Sequence, residues 1–64
     1  MIVLMKWKRP RKQDAKHWQE ITLERAIDLL EGGGHWKKDT VADMLTDGAL
    51  LWDTLAYYKK KKGN

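Results

Sequence analysis

Ala49-Leu50-Leu51-Trp52-Asp53-Thr54-Leu55-Ala56-Tyr57-Tyr58 reads two ways. As a helix, it lines Leu51, Leu55 and Tyr58 on one side and Ala49, Trp52 and Ala56 on another. As a strand, it places Leu50, Trp52, Thr54, Ala56 and Tyr58 on one face, with Leu51, Asp53, Leu55 and Tyr57 opposite. Leu-Leu and Leu-Ala favour helix. Trp, Thr and the paired tyrosines favour strand, as does a stop glycine at Gly48. The other end of the chain decides. Ile2-Val3-Leu4-Met5-Lys6-Trp7 is rich in strand formers and has no helix cap before it. A lone strand leaves its backbone groups unpaired and is not stable. Residues 50–58 are the one internal segment suited to pair with it. The expected fold is therefore a small α+β domain, strand–helix–helix–strand, with the terminal strands paired antiparallel. The alternative is a mostly α chain in which 49–58 is helical and the short N-terminal strand pairs across a homodimer.

Between those ends the chain carries helix signals. Leu23, Ala26, Ile27 and Leu30 recur at the spacing of one buried helix face. Thr22 suits the N-cap, Ile21 and Ala26 the hydrophobic-staple positions, and Glu24 the positive end of the helix dipole. Gly32-Gly33-Gly34 ends this helix. An earlier start at Asp14 would put His17 and Trp18 on it. A second helix is expected from Asp39 or Thr40, with Thr40-x-x-Asp43 as a capping box, Val41, Met44 and Leu45 as its apolar face, and Asp47-Gly48 as its stop. Lys8-Arg9-Pro10-Arg11-Lys12-Gln13 reads as a basic loop, because proline removes a donor and forces the preceding residue toward extended geometry.

Sixty-four residues make one domain, and a chain of that size buries only about 60% of its unfolded surface. Residues 1–58 are expected to form that domain and 59–64 a disordered basic tail. There is no cysteine, so no disulfide and no thiolate metal site. Four tryptophans supply apolar area instead. Met1–Met5 is too short an apolar run for a signal peptide or a membrane span. The expectation is a soluble, unprocessed, cytoplasmic protein with no membrane partner.

Charge is sorted by position. Residues 1–18 carry +5, residues 19–58 carry −5 and Lys59–Lys62 carry +4. On paired terminal strands the two basic clusters are expected at opposite ends of the sheet, about 17–20 Å apart for strands of ordinary length. Lys6, Lys8, Arg9, Arg11, Lys12, Lys37, Lys38, Lys59 and Lys60 are the candidate phosphate contacts, with aromatic rings nearby to stack on bases. Asp39, Asp43 and Asp47 recur every four residues and form an acidic stripe if helical. Like charges at that spacing do not help a helix, so the stripe suits a basic partner or repels nucleic acid from that face. Trp36 in the glycine-lysine segment, and Trp18, are candidate anchors for a protein partner.

Catalysis finds little support. No Ser or Cys exists to serve as nucleophile. His17 with Glu20, and His35 with Asp39, share a face only if each pair is helical, and neither pair comes in a recognisable metal or acid–base context. Gly32–Gly34 before Lys37-Lys38 follows a helix rather than a strand and lacks the phosphate-loop pattern. The expected function is non-enzymatic, without metal or cofactor: a basic module associating with nucleic acid through its cationic ends. The alternative is a protein-binding adaptor or inhibitor, of the accessory type found in phages and mobile elements, using exposed Trp and the acidic helix face.

Overall fold

A computed structural model describes residues 1–9 and 17–62. In chain order they form β1 (Ile2–Trp7), β2 (Gln19–Thr22), α1 (Leu23–Gly32), α2 (Lys38–Thr46), β3 (Leu51–Trp52) and β4 (Ala56–Lys60). All pairings are antiparallel, and the sheet order is β2-β1-β4-β3. The domain is α+β with strands at both ends, and β1 and β4 are its two central strands. Their register sets Val3 opposite Lys60, Met5 opposite Tyr58 and Trp7 opposite Ala56. The pairing required by an otherwise isolated β1 is therefore made within the chain.

Residues 50–58 are not one strand. The chain reverses at Asp53, and the cause is that side chain. Its Oδ1 accepts the backbone N–H of Leu55 at 2.8 Å and of Ala56 at 2.9 Å. The Asp53 N–H donates to the Ala56 carbonyl at 3.0 Å and closes the turn. A short acidic side chain thus offers the backbone a local alternative to strand pairing. The reversal changes which residues share a face. Leu51 pairs with Tyr58 and both are buried, whereas Trp52 pairs with Tyr57 and both are exposed. A continuous strand would have grouped Trp52 with Ala56 and Tyr58.

Strand alternation supplies the sheet's contribution to the core: Val3 and Met5 from β1, Leu51 from β3, Ala56 and Tyr58 from β4. Ala26, Ile27 and Leu30 of α1 and Val41 and Leu45 of α2 pack onto that face. Trp7, Ile21, Leu23, Leu29, Trp36, Ala42, Met44 and Ala49 are half-buried around them. The result is two layers, helices on one side of a sheet, with no buried polar or charged residue among those described. No described helix is long and apolar enough to cross a membrane.

Local signals hold α1 as its sequence implies. Thr22 is the N-cap, and its hydroxyl oxygen accepts the Arg25 N–H at 3.0 Å. The segment before it is strand β2, not a helical extension, so Trp18 is not on α1 and His17 and Glu20 do not share a helix face. α2 begins one or two residues earlier than expected, with Lys37 at the N-cap and no side-chain cap. Thr40 therefore lies inside the first turn, too late to act as the cap of a capping box. The helix stops at Gly48, whose φ of 90° is the left-handed value glycine adopts without strain.

Lys59 and Lys60, expected in a tail, are the last residues of β4. Lys60 extends its ammonium to the Thr46 carbonyl at 3.1 Å. That places a cation on the negative end of α2, where orphan carbonyls need donors.

Two outcomes follow. Asp53→Ala leaves two turn N–H groups without their acceptor and is expected to lose about 1–3 kcal/mol. Urea denaturation checks this, and each kcal/mol is worth roughly 4–8 °C in Tm for a domain of this size. The second concerns Tyr58, whose phenol is pushed up from 10.0 to about 12, first by burial, then by the Asp53 carboxylate, with Arg25 opposing. The folded state keeps a proton that the unfolded chain releases in that window, so stability falls as pH rises from 10 to 12. Tyr58→Phe should remove this part of the alkaline loss. Chemical denaturation of both proteins across that pH range measures the difference.

Candidate nucleic-acid interface on the uncovered sheet face

No described helix packs on the side of the sheet opposite α1 and α2. Alternation sends Ile2, Leu4 and Lys6 of β1 there, and the register arranges the side chains in rows across the strands. Lys6 lies opposite Tyr57, and Tyr57 opposite Trp52. Trp18 precedes Gln19, the partner of Met5, and so continues the same row beside Lys6. The row Trp18–Lys6–Tyr57–Trp52 crosses all four strands, about 14 Å at the usual strand spacing. The next row holds Glu20, Leu4 and Lys59. Beyond it lie Thr22 and Ile2, with the Lys61 N–H donating to the Ile2 carbonyl at 3.0 Å. At the opposite margin the Lys8 N–H donates to the Leu55 carbonyl at 2.9 Å.

The cations on this face are seated on aromatic rings. The Lys59 ammonium lies 4.3 Å from the centre of the Trp18 ring, and that of Lys6 lies 5.9 Å from it. Lys8 stands 5.1 Å from the centre of Tyr57. The negative face of each ring attracts a cation without neutralising it, unlike a carboxylate. Lys61 and Glu20 form an ion pair at 2.6 Å between partly exposed side chains. Such pairs contribute about 0–1 kcal/mol.

The described ends of the two basic clusters lie where antiparallel pairing is expected to put them, Lys8 beside Leu55 at the start of β4 and Lys60 and Lys61 beside Val3 and Ile2 at the other end of the sheet. The hairpin at Asp53 starts β4 at Ala56, which meets Trp7. Lys59 then falls opposite Leu4, one row from Lys6, and both reach the same ring.

The remaining candidates divide. Arg9 is exposed just beyond β1. Lys60 faces α2 as described above. Lys37 and Lys38 are exposed at the start of α2, in the helical layer. Arg11 and Lys12 lie outside the described residues. Asp39 and Asp43 are exposed on α2 and Asp47 is its exposed C-cap, so the acidic stripe lies in the helical layer with exposed Glu24, Asp28 and Glu31 of α1. The two layers thus carry opposite signs.

Trp36 is not a projecting anchor. It is half-buried against the core, and its indole N–H donates to the Trp52 carbonyl at 2.9 Å. Asp53 directs its backbone groups to β4, so the alternate residue Trp52 directs its own off the sheet edge. The Trp36 ring covers that edge, a place where an open strand otherwise invites another chain. Trp18 is on the uncovered face, beneath the lysines, and the acidic stripe is in the other layer. They do not build one surface.

Trp52 is a functional candidate that sequence reasoning passed over, while Tyr57 enters it only as part of the Tyr57-Tyr58 pair before the lysines. Trp52 is 52% exposed and Tyr57 37% exposed. Recognising Asp53-Thr54 as a turn would have moved Trp52 to the outer face. Next to Trp52 the row ends in an open cleft of about 410 Å3 lined by Lys8, His35, Trp36, Trp52, Asp53 and Thr54. Among the described residues no three His, Asp or Glu side chains are grouped to hold a metal ion.

Compared with known proteins, the chain matches no family model, no curated protein and no solved structure.

The seating of Lys59 on Trp18 is measurable. In a double-mutant cycle of Lys59→Met and Trp18→Leu, followed by urea denaturation, the coupling is expected at about 0.5–1 kcal/mol. The same cycle with Lys6 should give less, because its distance is at the outer limit for such contacts. A coupling of zero for Lys59 would mean the ring does not hold the ammonium.

Proposed function

We propose that the chain is a small non-enzymatic module that associates with nucleic acid through the uncovered face of its sheet. One observation carries this reading: Lys6, Lys8 and Lys59 meet on that face among the rings of Trp18 and Tyr57. Cationic side chains held among aromatic rings suit a partner that offers both phosphates and base faces. The acids of the helical layer favour a single orientation toward a polyanion. Arg9, just past β1, extends the basic margin. Lys37 and Lys38 are assigned no contact, because they belong to the other layer, and Lys60 serves α2.

The adaptor reading draws on Trp18, Trp36, Asp39, Asp43 and Asp47. It loses ground because Trp36 packs against its own domain and Trp18 lies in a different layer from the acids. The lack of cysteine is compatible with a reducing compartment, and we place the module in the cytoplasm on that ground.

Binding should be strong at low salt and fall steeply as salt rises, with weak sequence preference. Lys6→Gln, Lys8→Gln and Lys59→Gln together are expected to reduce the slope of log Kd against log salt by about 2–3, since each phosphate contact contributes about 0.7–0.9. Lys37→Gln with Lys38→Gln should leave the slope unchanged. Fluorescence anisotropy with a labelled oligonucleotide measures both. Absence of binding at low salt, or equal effects of the two variants, would sink the reading.

A further inference from the structure

We infer that the nucleic acid taken by this face is single-stranded, with bases stacked on Trp52 and Tyr57 and phosphates held by Lys6, Lys8 and Lys59. This rests on the function proposed above and narrows it. The argument begins with the two rings. Trp52 and Tyr57 are direct partners across β3 and β4, and both are exposed. Leaving two adjacent aromatic rings in water is unfavourable by the ordinary rules of burial, and it serves no purpose toward a phosphate backbone alone. It does serve unpaired bases, each of which offers a flat face to a ring. Four-stranded sheets with exposed aromatics stack two or three bases in this way.

Trp18 has a different part. Its ring is half-buried and carries two ammoniums, those of Lys59 and Lys6, whereas exposed Tyr57 carries that of Lys8 alone, so Trp18 positions phosphate contacts rather than presenting a stacking surface. The row thus has a charge-holding end at Trp18 and a stacking end at Trp52. The cleft beside Trp52, with Lys8 and His35 in its wall, gives a displaced base room beyond the sheet edge.

Duplex geometry fits poorly. Bases of a duplex are stacked on one another, and reading them requires a helix or a two-stranded ribbon inserted in a groove. The uncovered face is a sheet four strands wide, too broad to enter.

The test is an anisotropy titration with a labelled mixed-sequence single strand of about a dozen nucleotides, within the usual range of site sizes, and with the same strand annealed to its complement. The expected result is tighter binding of the single strand, with quenching of tryptophan fluorescence. Trp52→Ala should weaken single-strand binding by about 5- to 150-fold, the range for loss of one stacked base, and leave duplex binding unchanged. Trp52→Phe should restore most of the loss. Tyr57→Leu provides an independent second variant should Trp52→Ala not fold, as judged by circular dichroism. Equal affinity for the duplex, no effect of Trp52→Ala or Tyr57→Leu, or equal binding of heparin, which has no bases, overturns the inference. If the lysine variants still weaken duplex binding in that case, the broader nucleic-acid reading survives. If neither oligonucleotide binds, both fall.

Discussion

The backbone pairing of β1 with β4 is the constraint on which the other features rest. It joins the first strand to the last, so the intervening residues must fold into whatever connects them over one side of the sheet. Closing so long a loop is unfavourable in chain entropy, though the penalty grows only slowly with length. It is offset because the paired strands present Val3, Met5, Ala56 and Tyr58 together, a continuous apolar strip onto which α1 and α2 pack. β2 and β3 then extend the sheet on either side. Neither is long enough to be stable alone. Both exist because a central strand edge is already there.

Size explains why one face remains uncovered. Two short helices can cover one side of a four-stranded sheet, and the chain has no third helix among its described residues. In a large α/β protein the second face would be sealed and apolar. Here it carries lysines: Lys6, Lys8 and Lys59 lie against rings, and Lys61 pairs with Glu20. The aromatic residues accordingly divide by duty. Tyr58 and Trp7 face the core side, Trp36 covers a strand edge, Trp18 seats cations, and Trp52 with Tyr57 meets solvent. A chain without cysteine can assign so many large rings to its surface because the core is closed by aliphatic side chains from both helices.

What the sequence makes legible is what is local or forced by exclusion. α1 is readable because Thr22 and the Leu23–Leu30 periodicity act within a few residues. The pairing of the terminal strands is readable because an unpaired strand must find a partner, although β2 proves to be a second one that the exclusion overlooks. β2 itself is not readable, since Gln19-Glu20-Ile21-Thr22 has a weak strand signal and becomes a strand through the edge that β1 offers it. The hairpin was missed because Asp53 competes for backbone donors over two or three residues, an effect that side-chain alternation does not register. Continuous alternation puts Trp52 with Ala56 and Tyr58, whereas the reversal at Asp53 turns it to the exposed face with Tyr57. The orientation of Lys60 is illegible for a related reason: one step along β4 from Lys59, it is turned toward α2.

The opposite signs of the two layers have a further meaning once the dimensions are considered. The body measures 34 × 30 × 16 Å, and its layers are stacked, so charge separation runs across a slab. A polyanion that draws in the lysine side is met by only one side of that slab. The side left facing outward bears Glu24, Asp28, Glu31, Asp39, Asp43 and Asp47 against Arg25, Lys37 and Lys38, and its net negative charge repels a second polyanion. A uniformly basic protein of this size bridges strands and condenses them. Under the function proposed above, this one would line a strand singly, each copy screening what it covers.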